Sequence, residues 1–180
     1  MSTSQLPRQK ALRFGDPLHQ DACRFLMEEA HALDDRDFDA WLAMMSPEIR
    51  YQVRVNPTTG RGGAGDRLAA VMHYDEDFYS LQMRVDRLRT NFAWAEDPPS
   101  RTRHLVTNVC TYPTDLAGIV AVRSSFMLFR SRGDLREPDI LCGERRDRLG
   151  YGSDKDFRLL SRDVVLDESV LRTQNLAVFL

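Results

Sequence analysis

Cysteine is scarce. Cys23, Cys110 and Cys142 are the only three among 180 residues, and no two of them form a C-x-x-C unit. Three thiols cannot all pair within one chain, and none of their spacings to histidine fits a zinc or iron–sulfur motif. Reduced thiols in a cytoplasmic protein are therefore expected. Long apolar runs are missing as well. The longest, "LAGIVAV", falls far short of the roughly 20 residues a membrane helix needs. The start, "MSTSQLPRQK", has no apolar signal-peptide core. There is no surplus of positive charge: the net charge is −2, which argues against a general nucleic-acid surface. The histidines, His19, His31, His73 and His104, form neither H-x-x-x-H nor H-E-x-x-H. No G-x-S-x-G nucleophile elbow, phosphate loop, or flavin or nicotinamide signature occurs. No metal, cofactor or nucleotide site is expected in this chain.

What is present is ordinary for one globular domain, with 42% hydrophobic and 29% charged residues. Residues 1–15 read as a polar arm, and 16–180 as a single domain. Asp16 and Pro17 mark a helix start, followed by an apolar stripe of Leu18, Ala22, Phe25, Leu26, Ala30 and Leu33 at helical spacing. A short helix over "FDAWLAMM" gathers Phe38, Trp41, Leu42 and Met45 and ends before Pro47. The period then changes to two. Ile49, Tyr51, Val53 and Val55 alternate with polar residues as a half-buried strand. "NPTTGRGGAG" reads as a loop, and 76–89 as a further helix. After Pro98 and Pro99 the chain reads as strands over 104–112, 119–130, 140–149 and 157–166.

In the second of these, Val120, Val122, Phe126 and Leu128 share one face, and Ile119, Ala121, Met127 and Phe129 the other. One face is expected to meet the helices and the other a partner. The ending "NLAVFL" is expected to be buried. Helices early and antiparallel strands late predict an α+β domain: a curved, mostly antiparallel sheet forming a half-open cone with helices on one face.

Such a cone offers a concave pocket, and two functional readings follow. In one, Asp34 or Asp35, Tyr51 and His104 converge as an acid–base site of a small isomerase or dehydratase. The histidine would serve as general base and the tyrosine as oxyanion donor. In the other these are structural residues: an aspartate caps a helix, Tyr51 is a core aromatic, and His104 belongs to a polar seam. The alternating charges of "DLREPDILCGERRDRLG" read as an ion-paired seam, for which arginine's planar fork is suited.

Several blocks carry a resemblance. "EEAHALDDRDFDAWLAMM", "YQVRV", "MRVDRLRTNFAWAEDPPSRTRHLVTNV", "SSFMLFRSR", "CGERRDRL" and "LLSRDVVLDESVLRTQNLAVFL" follow one another in order. Together they cover nearly everything after about residue 20. In them the chain resembles the small, or beta, subunits of bacterial aromatic-ring-hydroxylating dioxygenases, of the biphenyl, benzene and phenylpropionate type.

The resemblance implies a cone fold like those of nuclear transport factor 2, scytalone dehydratase and ketosteroid isomerase. It also implies a large alpha subunit as partner in an alpha3beta3 hexamer. That alpha subunit would hold the Rieske 2Fe–2S cluster and a mononuclear Fe(II). NADH would supply electrons through a reductase and a ferredoxin, and the product would be a cis-dihydrodiol. On this reading the chain is a non-catalytic component. Arg101, Arg103 and His104 of "SRTRHLV", Glu144, Arg145, Arg146 and Asp147 of "GERRD", and Phe179 and Leu180 of the ending are then fold or subunit-contact residues.

Overall fold

The computed structural model describes residues 10–55, 72–90, 99–133, 136–152, 156–169 and 178–180. The element order is α1 (Pro17–Asp34), α2 (Phe38–Ala43), β1 (Met45–Arg54), β2 (Met72–Glu76), α3 (Phe78–Leu88), β3 (Arg101–Pro113), β4 (Ile119–Ser131), β5 (Asp139–Tyr151) and β6 (Phe157–Leu166). The glycine-rich loop read at "NPTTGRGGAG" lies outside the described residues.

Local chemistry explains the helices. The Asp16 carboxylate accepts from the Leu18 N–H at 2.9 Å, with Pro17 at the first helical position. One face of α1 then buries Ala22, Phe25, Leu26, Ala30 and Leu33, each of the large side chains contributing roughly 1.5–3 kcal/mol. Asp77 and Ser80 cap α3 reciprocally, which moves its start past Glu76. That glutamate instead ends β2, a five-residue edge strand absent from the sequence reading. Met45 likewise opens β1 rather than closing α2, because the Met44 carbonyl accepts from Leu159 N–H at 2.9 Å and joins the sheet.

The six strands form one sheet in the order β2-β1-β6-β5-β4-β3. Four neighbouring pairs are antiparallel, and β1 runs parallel to β6. The expected half-open cone is corrected by this topology. Closing a sheet requires its edges to meet with a fixed stagger. Here β2 and β3 lie at opposite edges and do not pair, so the sheet is mixed, open and not strongly curled. The α+β class stands.

Its inner face is covered by the helices and by residues 178–180. The core joins Phe25, Leu26, Trp41, Tyr51, Leu81, Val85, Phe126, Leu128, Leu159 and Phe179. Gly143 lets β5 and β6 approach closely, since a Cβ there would collide with the Val165 carbonyl.

Candidate functional site

The period-two alternation of the strands divides the sequence candidates between two faces. On β5, Arg145 and Asp147 point inward with Leu141 and Leu149, whereas Glu144 and Arg146 point outward. On β3, His104 is buried, and Arg101 and Arg103 are exposed. "GERRD" and "SRTRHLV" are thus not single seams. Each supplies one set of side chains to the interior and another to the surface.

The interior set is built around Arg162 of β6. Its guanidinium donates to both Glu29 oxygens, at 2.6 and 2.7 Å, and to both Asp147 oxygens, at 2.9 and 2.8 Å. Arg162 also reaches the Leu180 main-chain oxygen at 3.2 Å. The Trp41 indole N–H donates to Glu29 at 3.2 Å. Arg145 approaches the same carboxylate at 3.6 Å and stacks over the Phe126 ring. Its nitrogens make no hydrogen bond among the described residues, so charge and ring contact hold it.

The cluster is electrically balanced, two carboxylates against two guanidinium groups, as burial of charge requires. Burial pushes the Glu29 carboxyl up. The charges of Arg162 and then Arg145, with hydrogen bonds from Arg162 and Trp41, overcome it and leave the group below its ordinary value. For Arg162, burial disfavours the cation, and Asp147 and Glu29 more than reverse this, holding its pKa far above normal.

A second centre lies beside it. His104 Nδ1 is 2.6 Å from Asp34, and Nε2 is 3.1 Å from the Phe179 carbonyl oxygen. The His104 main-chain N–H donates to the same carboxylate. Both ring nitrogens are thereby engaged, one by a carboxylate and the other by a main-chain carbonyl. Tyr51 is similarly committed: its hydroxyl donates to the Leu180 oxygen and accepts from the Leu180 N–H at 2.7 Å. Burial first, against the charges of Arg162 and Arg145, raises its pKa.

The structure therefore brings Asp34, Tyr51 and His104 together around residues 178–180, while Asp35 is exposed at the end of α1. The Phe179 ring lies 4.2 Å from Trp41 and 5.9 Å from Phe38, centroid to centroid, and the Arg84 guanidinium covers it at 4.6 Å. The cavity left beside His104, lined in part by Leu33, Phe38, Leu88 and Phe179, is about 30 Å³. That is one water's share of liquid volume, against the roughly 300–1,000 Å³ of ligand pockets. Both His104 nitrogens and the Tyr51 hydroxyl are engaged within the chain.

Sequence reasoning missed Glu29 and Arg162. Glu29 falls at helical spacing with Leu26 and Leu33 on the buried stripe, which is the signal that marks it. Arg162 alternates with Val164 and Leu166 on the inward face of β6.

These centres give a pH dependence. Burial opposes ionisation of Asp34, and its hydrogen bonds from His104 prevail, so its pKa too is lowered. Glu29 and Asp34 thus favour the fold above the ordinary carboxylate range and lose that contribution as pH falls through their folded values. Urea midpoints should be insensitive to these two groups between pH 7 and 5 and drop below about pH 4. In an Asp34→Asn variant the acid limb of the profile should be shallower.

Among the described residues no group of three or more His, Cys, Asp or Glu could hold an ion, and Cys23, Cys110 and Cys142 are free thiols. Cys110 and Cys142 are half-buried on strands rather than wholly buried. Burial raises the Cys142 thiol, and Asp167 and Glu168 add to the effect. No helix among the described residues is long and apolar enough to cross a membrane.

Residues 28–173 match the family described as the ring hydroxylating beta subunit. A chain of naphthalene 1,2-dioxygenase, solved with indole in the active site, superposes with a TM-score of 0.84 at 29% identity, covering 94% of this chain and 90% of that one. The beta subunit of benzoate 1,2-dioxygenase from Burkholderia mallei gives 0.69 at 22% identity, with 93% and 100% covered. ActVI-ORFA from Streptomyces coelicolor shares the fold alone, at 0.60 and 16% identity, with 84% and 98% covered. The chain belongs to the ring hydroxylating beta subunit family, the non-catalytic partners of the catalytic alpha subunits of ring-hydroxylating dioxygenases.

Proposed function

We propose that this chain is the scaffold of an alpha3beta3 oxygenase in the cytoplasm. In this assembly the alpha subunit holds the Rieske 2Fe–2S cluster and the mononuclear iron, and cis-dihydroxylates an aromatic substrate with O2. Electrons come from NADH through a reductase and ferredoxin that serve the alpha subunit. The observation that supports this division of labour is the state of the interior. Every polar group a small acid–base enzyme would use there, Asp34, Tyr51 and His104, is held by its own neighbours or by main-chain groups of residues 178–180. Fold relatives do not transfer chemistry without a site, and this interior is filled.

Within 16–180, taken as one domain behind an N-terminal arm, we assign His104, Arg145, Asp147, Phe179 and Leu180 to holding the fold. Arg101, Arg103, Glu144 and Arg146 we assign to subunit contacts. Co-expression with a large subunit bearing C-x-H and C-x-x-H Rieske ligands tests the reading. The two chains should co-purify, with all iron and acid-labile sulfide travelling with the large subunit after dissociation. A chain that never joins such a subunit, or that retains one iron per copy when separated from it, would overturn the proposal.

A further inference from the structure

Hydrogen bonds in the buried charge cluster are shared unequally. Arg162 donates to both oxygens of Glu29 and to both of Asp147. Arg145, the other buried cation, stands 3.6 Å from Glu29. Among the described residues none of its three nitrogens has a hydrogen-bond partner. The Phe126 ring covers the guanidinium at 4.9 Å. That contact leaves the N–H donors unused, because they project in the guanidinium plane and not through its face.

A second unpartnered group rises beside it. Ser124 of β4 and Arg145 of β5 are register partners on the inward face of the sheet. Both residues are 1% exposed, and Ser124 Oγ has no hydrogen-bond partner among the described residues either. Their neighbours are apolar: Val164 pairs with Arg145 on the β6 side, and Val122 and Phe126 are the next inward residues along β4. Buried polar groups are rarely left unbonded. Here a group that only donates lies next to one that donates and accepts, so a single small molecule can serve both.

We propose that the core contains a built-in water site at this point, one water bonded to the Arg145 guanidinium and to Ser124 Oγ. Its oxygen accepts from the guanidinium. One hydrogen donates to the serine oxygen, and the other is free to reach the Glu29 carboxylate, in keeping with the roughly three bonds a buried water makes. An anion does not suit the site. Glu29 and Asp147 already balance Arg145 and Arg162, so an added anion would leave surplus negative charge beside Glu29. Burial first, and then the charge of Arg162, pull the Arg145 pKa below its ordinary value, as befits the less solvated cation of the two. The site lies in the core, is the same in the isolated chain and in an assembly, and does not rest on the scaffold reading.

Crystals of the full chain, alone or with its large subunit, test this at a resolution that orders solvent. A water peak should stand about 2.7–3.2 Å from both an Arg145 nitrogen and Ser124 Oγ. Crystals soaked in bromide should show no anomalous peak there. In solution, deuterium relaxation dispersion of the solvent should report a long-lived internal water. Ser124→Ala removes one partner and adds no bulk, and should speed the exchange of that water about tenfold, the effect of roughly one hydrogen bond.

An Arg145 guanidinium bonded directly to protein groups, with no solvent peak at its edge, would overturn the proposal. A bromide peak at the site would overturn it as well, by making the ligand an anion. So would an internal water whose exchange is indifferent to Ser124→Ala. If that variant fails to fold, the crystal structure of the parent decides alone.

Discussion

Replacing Arg162 by alanine is expected to cost the fold about 3–5 kcal/mol or more, a large part of the roughly 5–15 kcal/mol that holds a domain together. The size follows from what is left behind. Glu29 and Asp147 are both fully buried carboxylates, and both oxygens of each accept from this one guanidinium, with the Trp41 indole N–H as a further donor to Glu29. Without it, two anions remain with Arg145, whose nearest approach to Glu29 is 3.6 Å and which offers no hydrogen bond.

The loss is a desolvation penalty rather than the net worth of the pair. Substituting Arg162 and Arg145 by methionine together with Glu29→Leu and Asp147→Leu, which removes the whole balanced cluster, should therefore cost less than the single change. The exposed Arg123–Glu144 pair makes the control: Arg123→Ala should stay within about 1 kcal/mol. Urea titrations at constant m-value read all three.

The second large effect belongs to Phe179. Truncation to alanine should destabilise by about 3–5 kcal/mol, from lost transfer energy and the cavity created. Its ring contacts Trp41, Phe38 and the Arg84 guanidinium, and it is 3% exposed. The space released would join the void of about 30 Å³ beside His104, leaving an apolar cavity of aromatic size. Indole should then raise the melting temperature of Phe179→Ala and leave that of the parent unchanged. An unaltered melting temperature after truncation would mean that residues 178–180 do not sit in the core.

Much of this was legible in the residues. Asp16–Pro17 and the stripe through Leu33 specify α1, and strict alternation specifies β4, because local chemistry decides both. The edge strand β2 was not legible, since "MHYDE" is short and its pairing with β1 is set by a distant segment. Sheet closure was not legible either. Strand patterns fix which side chains face inward but not whether two edges meet, and here β2 and β3 do not.

The candidate site was half visible. Asp34, Tyr51 and His104 were singled out as polar residues near apolar elements, and they do gather. Main chain at residues 179 and 180 engages Tyr51 and His104, and His104 in turn engages Asp34; carbonyl and amide groups leave no mark in a sequence. Glu29 and Arg162 were passed over because charged residues are usually solvated. Their positions on the apolar faces of α1 and β6 are the feature that distinguishes them.

Turnover of the reconstituted oxygenase, counted per assembled and iron-loaded complex, bears most directly on whether this chain is scaffold or catalyst. His104→Ala and Tyr51→Phe should each weaken stability or assembly by roughly 1–3 kcal/mol, because each leaves buried partners unsatisfied. Turnover per intact complex should nevertheless remain within about tenfold of the parent, since on the proposed reading neither side chain takes part in the reaction. If both variants assemble with full iron content and each loses about a hundredfold or more in turnover, the magnitude expected of a lost general acid or base, the chemistry or an essential proton route lies in this subunit and the non-catalytic account is wrong.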